Sequence, residues 1–278
     1  MRVGFVTQLL WPRYGDFWVK LVTGAGLEPV YADGERVRRV LGDPRLAALP
    51  GTAFRLAAAQ ALALEADVVF APDLNPGEDS TVGGGQDPFI ANFPEALRAS
   101  LPGLPTIVGI PTELGGEGFE SLIVSTLLNL THDAGLVRRV WERQRTAAKP
   151  PRLPEPSWRV RPSEGQVLGI VGQPWLLSNA LLKRLAGDRH AVSQGQLGPS
   201  LLRAEGRRLD GRLIGTDAEV LGAARFLSRK GNIGSLLLLA DETAGVDMWL
   251  AALAQKHATK PLEVVTLQQL GDLAVTST

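Results

Sequence analysis

The sequence predicts an α/β fold in two lobes, each a parallel sheet flanked by helices. Three observations predict it. Short continuous apolar runs alternate with helical patterns, as βαβ units require. The alternation restarts after one proline-rich stretch. The 278 residues, 45% of them hydrophobic, suffice for two ordinary cores.

In the first lobe, residues 2–7 (RVGFVT) read as a strand. A helical pattern follows through Phe17, Leu21 and Val22, and glycines at 24 and 26 stop it. Residues 27–32 are the second strand. Thr52 opens an Ala- and Leu-rich helix, and residues 67–71 (DVVFA) form a buried strand. A long polar loop leads to a short helix over Phe93–Ser100 and a strand at 105–110 (PTIVGI). Residues 116–148 form one long helix or a broken pair.

Residues 150–163 hold five prolines among fourteen residues. Proline cannot continue a helix, so this stretch reads as a semi-rigid connection. The domains are therefore expected at 1–149 and 165–278, with a linker over 150–164. In the second lobe a strand at 166–171 (QVLGIV) precedes a helix at 174–186 with Pro174 in its first turn. A strand at 189–192 follows, and residues 195–215 look irregular. Asp217 then reads as N-cap of a helix reaching Lys230. Residues 235–240 (SLLLLA) form a strand, 244–257 a helix and Leu262–Thr266 a strand. The expected architecture is two Rossmann-like lobes with an interlobe cleft.

Composition narrows the function. The formal net charge is zero, and aromatics are sparse, so no field or stacking groove favours nucleic acid. The longest apolar run is strand-sized, which argues against a membrane span, and the opening residues do not resemble a signal peptide. The cytoplasm is the expected compartment. Charge is uneven locally. Residues 65–137 carry eleven acids and one base, Arg98, whereas residues 138–162 carry eight bases and two acids. Two solvated faces account for this most simply; contact with an anionic ligand is the alternative.

The familiar catalytic patterns are missing. His132, His190 and His257 lie in different elements without ligand spacing, and there is no cysteine. No Gly-Lys-Ser/Thr follows a glycine run, and no GxSxG elbow occurs. Gly83, Gly84 and Gly85 read as a loop tip. Gly115, Gly116 and Gly118 precede a helix, but Glu113, Glu117 and Glu120 crowd that turn and disfavour an anion. Loop carboxylates remain, namely Asp73, Glu78, Asp79, Asp241, Glu242 and Asp247. In open parallel sheets ligands bind beyond the carboxyl ends of the strands, where Asp73 and Asp241 fall.

Several segments together resemble the 2-hydroxyacyl-CoA dehydratase and benzoyl-CoA reductase subunits, most closely their activase-associated branch of unknown function. The opening strand with its aromatic turn (residues 2–32) is one such segment. In a second (51–72), Gly51 stands where the family has a cysteine and Arg55 where it has a lysine. In a third (83–97), Asp87-Pro88 replaces Cys-Pro. In the second lobe Gln173, Trp175 and Asn179 match a Gly-His-Pro-Tyr segment ending in aspartate. Ala244, Gly245 and Asp247 match a Cys-Gly-Pro-Asp turn. The family's cysteines hold an iron–sulfur cluster, and no thiolate stands at the matching positions here. The resemblance implies the fold without that redox centre, and no cofactor is expected.

The expected ligand-binding residues are Gln8, Trp11, Asp73, Gln173, Trp175, Asn179, Asp241 and Asp247. They are polar or amphipathic side chains near strand ends, as a cleft for a small-molecule or acyl-CoA-like ligand requires. Trp11 and Trp175 serve equally well in packing. A cluster-free protein that binds a ligand or a protein partner is the first reading. A non-redox hydro-lyase or hydrolase, using Asp73, Asp87 or Asp241 on a small acyl compound, is the second. A two-lobe sugar- or nucleotide-binding protein is the third.

Overall fold

The structure, a computed structural model, describes residues 1–75, 83–116, 118–149 and 167–270. The expected linker, Glu78, Asp79 and Glu117 lie outside the described residues. Contacts divide the described chain into two compact units. Residues 1–47, 57–73 and 92–149 form the first; residues 48–56, 74–75, 83–91 and 167–270 form the second.

The first unit is built on four parallel strands, β1 (Arg2–Phe5), β2 (Glu28–Tyr31), β3 (Val68–Asp73) and β4 (Thr106–Pro111), in the order β2-β1-β3-β4. Its register aligns Gly4 with Val30 on one side and Val69 on the other. The helices α1 (Gly15–Gly24), α2 (Gly34–Val40) and α3 (Pro44–Ala47) lie between β1 and α4 (Thr52–Ala63) in the sequence, with β2 among them. Helix α1 buries Phe17, Trp18, Leu21 and Val22, a spacing that puts one face on the core. The Trp18 indole donates to the carbonyl of Pro111 at 3.2 Å, and its ring meets Phe70 edge-on.

After α5 (Pro88–Ala91) and α6 (Phe93–Ser100) come α7 (Phe119–Thr131) and α8 (Ala134–Gln144). The stretch expected as one long helix or a pair is thus a pair. It breaks at His132, which is left-handed (φ 53), and restarts where Asp133 caps the N–H of Leu136.

The second unit repeats the plan with β5 (Val167–Gly172), β6 (Ala191–Ser193), β7 (Ile233–Ala240) and β8 (Leu262–Thr266), ordered β6-β5-β7-β8. All pairings in both sheets are parallel. Two Rossmann-like lobes are therefore present, each with its first strand flanked by its second and third. The chain reverses its winding between the first and third strands of each lobe. Such a reversal opens a crevice at their carboxyl ends.

The helices of this unit are α9 (Asn179–Ala186), α10 (Pro199–Arg207), α11 (Gly215–Ser228), α12 (Gly245–His257) and α13 (Leu267–Leu270). Helix α10 occupies a stretch that looked irregular in the sequence. Its short amphipathic pattern, Leu202 inward and Leu201 exposed, is interrupted by Gly206. The glycine has a packing role. A Cβ there would lie 2.1 Å from the carbonyl oxygen of Ala218, and one at Gly222 would lie 1.8 Å from that of Leu202. The backbones of α10 and α11 touch. Helix α11 is buried almost all round, and Arg203 and Glu219 face each other inside at 3.7 Å.

Two further expectations need correcting. Residues 174–186 are not one helix: a 3-10 turn at Pro174–Leu176 precedes α9, which Ser178 caps by accepting from the N–H of Leu181. Asp217 is not an N-cap. Ile214 holds that position, and Asp217 lies in the first turn, fully buried.

Candidate functional site

The eight expected ligand residues separate by unit. Gln8, Trp11 and Asp73 belong to the first; Gln173, Trp175, Asn179, Asp241 and Asp247 belong to the second.

In the first unit, Gln8 and Asp73 follow β1 and end β3, the two strands at the winding reversal. Gln8 is half-buried and Asp73 exposed. The side chain of Gln60 on α4 accepts from the N–H groups of Thr7 (2.9 Å) and Gln8 (3.2 Å), so this strand end is internally satisfied. Leu9 and Leu10 are both left-handed, with φ of 59° and 71°. Non-glycine residues hold that conformation only when their surroundings enforce it. Both leucines are buried, and the Tyr14 hydroxyl reaches the carbonyls of Gln8 and Leu9 at 3.3 Å. Trp11 packs against Phe5, Tyr14 and Tyr31 within this unit.

The second unit gathers more chemistry at the equivalent place. Gln173 follows β5 and Asp241 follows β7, the strands that flank the reversal. Asp247 sits in the first turn of α12, and Asp217 in that of α11. Gln173, Asp217, Asp241 and Asp247 are all buried. Trp175 is half-buried, and Asn179 is an exposed first residue of α9; neither makes a described contact with this group.

Each carboxylate has a definite set of donors. Asp217 accepts from the N–H of Gln86 at 2.7 Å and from the amide Nε2 of Gln173 at 2.9 Å. Asp241 accepts from the N–H of Thr52 at 2.5 Å, and from the N–H (2.9 Å) and hydroxyl (2.6 Å) of Thr243. It thereby caps α4, whose first residue is Thr52, from 189 positions away. Asp247 accepts from the N–H of Asp241 at 3.0 Å. Half-buried Asp87 accepts from the N–H groups of Phe89 and Ile90.

Burial dominates the titration of this cluster. It pushes Asp217 up to about 6 and Asp247 up to about 7, and raises Asp87. Donated hydrogen bonds oppose the rise. Among the described residues, the charges that act on these three groups are other aspartates of the cluster, and each raises them further. The described guanidinium tied to this neighbourhood, Arg55, donates to the hydroxyl of Thr52.

The residues that place Asp217 were missed in the sequence. Gly83, Gly84 and Gly85 are buried rather than a loop tip. The carbonyl of Gly83 accepts from the N–H of Thr216, and Gly85 is left-handed (φ 80) with its open side filled by the Asp217 carboxylate. A Cβ at Gly85 would lie 2.3 Å from Asp217 Oδ1. The glycine run was the only signal, and a run of that kind reads equally as a flexible tip.

Four buried side-chain atoms have no hydrogen-bond partner among the described residues: Gln173 Oε1, Gln194 Nε2, Thr216 Oγ1 and Glu242 Oε2. Three follow strand ends, and Thr216 adjoins Asp217. A Cβ at Gly51 would make ordinary contact with Ala244 at 3.8 Å and lie 4.0 Å from Asp241 Oδ2. No group of three or more His, Asp and Glu among the described residues is arranged to hold a metal ion.

No family model and no curated protein sequence matches the chain. Similar solved structures include a GTP-binding protein from the hyperthermophilic archaeon Sulfolobus solfataricus in complex with GDP. It shares 11% identity over 99% of this chain and 97% of that one, at a TM-score of 0.23. A mutation variant of SsGBP shares 11% identity over 98% and 94% of the two chains, at a TM-score of 0.25. At such TM-scores the likeness carries nothing about ligand or activity.

Proposed function

We propose that this chain is a cysteine-free relative of the 2-hydroxyacyl-CoA dehydratase and benzoyl-CoA reductase subunits, and that it binds a ligand without their redox centre. One observation carries the reading. Gly51, Asp87 and Ala244, the three positions matched to the family's cysteines, are far apart in sequence yet all belong to the second unit, where Gly51 and Ala244 adjoin Asp241 and Asp87 lies near enough to feel its charge.

An iron–sulfur cluster does not fit the residues present. Glycine and alanine offer no ligand atom, and the chain has no thiolate to supply. In this reading the ancestral place persists as a buried, polar strand-end site held by Gln173, Asp217, Asp241 and Asp247. Its carboxylates disfavour phosphate-bearing ligands.

A second reading is favoured by the raised Asp217 and Asp247. Carboxyls that titrate near neutrality can give and take protons, so a hydro-lyase or hydrolase acting on a small acyl compound is the alternative.

Two measurements test the proposal. Protein supplied with iron and sulfide under anaerobic conditions should retain no stoichiometric iron; brown protein with bound iron would overturn it. Thermal-shift screening against CoA thioesters, nucleotides, sugars and amines should give a shift that is lost in Gln173→Leu, because a ligand bound to the native state raises its melting temperature.

A further inference from the structure

We infer that the second-unit site takes a small organic ammonium group, an inference that rests on the ligand-binding reading above. The argument begins with charge. Asp87, Asp217, Asp241 and Asp247 share one neighbourhood, three of them buried, and Glu242 adds a buried oxygen. The charges felt by Asp87, Asp217 and Asp247 are other aspartates. Burial relieves part of this charge by holding protons on Asp217 and Asp247, and a bound cation would instead favour the ionised carboxylates.

The second observation is independent of the acids. Gln173 is 3% exposed, its Nε2 is spent on Asp217 Oδ1, and its Oε1 has no partner among the described residues. The amide is therefore fixed against the cluster with a free acceptor. A free acceptor beside carboxylates calls for a donor that carries positive charge. An ammonium group supplies up to three such N–H bonds.

Geometry selects among cations. The described acids are not arranged to hold a metal ion, since most of their oxygens already accept from backbone N–H groups. An ammonium group tolerates that arrangement because it needs only two or three acceptors and no closed coordination shell.

The test uses the full chain and defined probes. Melting temperature is measured near neutral pH with n-butylammonium chloride, n-butanol, potassium chloride and sodium butyrate at equal concentration. Butylammonium should raise it saturably by about 3 °C, and the other three should not. The shift should vanish in Gln173→Leu. Ala244→Lys, which supplies a tethered ammonium, should melt above the volume control Ala244→Met and lose its response to butylammonium. An equal shift with potassium chloride would overturn the inference. So would Ala244→Lys melting no higher than Ala244→Met while wild type ignores butylammonium. A shift with butyrate, butanol or a CoA thioester that depends on Gln173 would overturn the ammonium class and leave the binding reading standing. No shift with any probe would remove both.

Discussion

At the scale of single residues, the buried aspartates set the pH dependence of stability. Asp217 and Asp247 have folded-state values of about 6 and about 7 against an ordinary value of 3.8. The folded state holds their protons longer than the unfolded chain does. Their contribution is therefore fully present below about pH 4 and is lost as pH rises through 6 and 7. Denaturant melts between about pH 4 and pH 8 should show this decline, and Asp247→Asn should flatten its upper part. Asparagine keeps an acceptor for the N–H of Asp241, so the variant should be more stable at pH 8 by on the order of 3 kcal/mol. Asp241→Ala has the opposite sign. It strands the N–H groups of Thr52 and Thr243, and should cost about 2 kcal/mol in urea unfolding at neutral pH. Gln173 and Asp241 were legible in the sequence because each stands just beyond the end of an obvious strand, and Asp247 because it matches the aspartate of the family's Cys-Gly-Pro-Asp turn. Asp217 was not. Its role depends on Gln86 and Gln173, which sit 131 and 44 residues away, and no local pattern encodes such a meeting.

At the scale of elements, the strands and the buried helix α11 were legible, and its close-packed partner α10 was not. Continuous apolar runs such as residues 235–240 can only be buried on both faces, so they declare themselves. Helix α10 hides because Gly206 lowers its helical propensity while permitting contact with α11. Gly222→Ala should therefore be severe despite the better propensity of alanine. The added methyl would drive into the Leu202 carbonyl, and a loss of about 3 kcal/mol or failure to fold is expected. Circular-dichroism melts of Gly222→Ala beside Gly211→Ala, whose Cβ would meet open space, check the attribution.

At the scale of the whole molecule, the linear division of the sequence does not coincide with the contact units. Residues 48–56 and 83–91 precede the proline-rich stretch yet belong with the second sheet. Periodicity identifies elements but says nothing about which sheet an intervening loop joins. A fragment of residues 167–278 should consequently be incomplete, lacking the donors of Thr52 and Gln86. It should bind a hydrophobic dye and melt without a sharp transition, while co-expression with residues 1–152 should restore cooperative melting. The capping of α4 by Asp241 also bears on the timing of biosynthesis. The first turn of that helix leaves the ribosome long before its capping carboxylate has been translated. Until β7 and the Asp241 that follows it are made, the first turn of α4 lacks its cap, whereas the partners of residues 83–86, Thr216 and Asp217, are made earlier. Arrest of translation before residue 233 should leave residues 48–56 open to protease, and release of the full chain should close them.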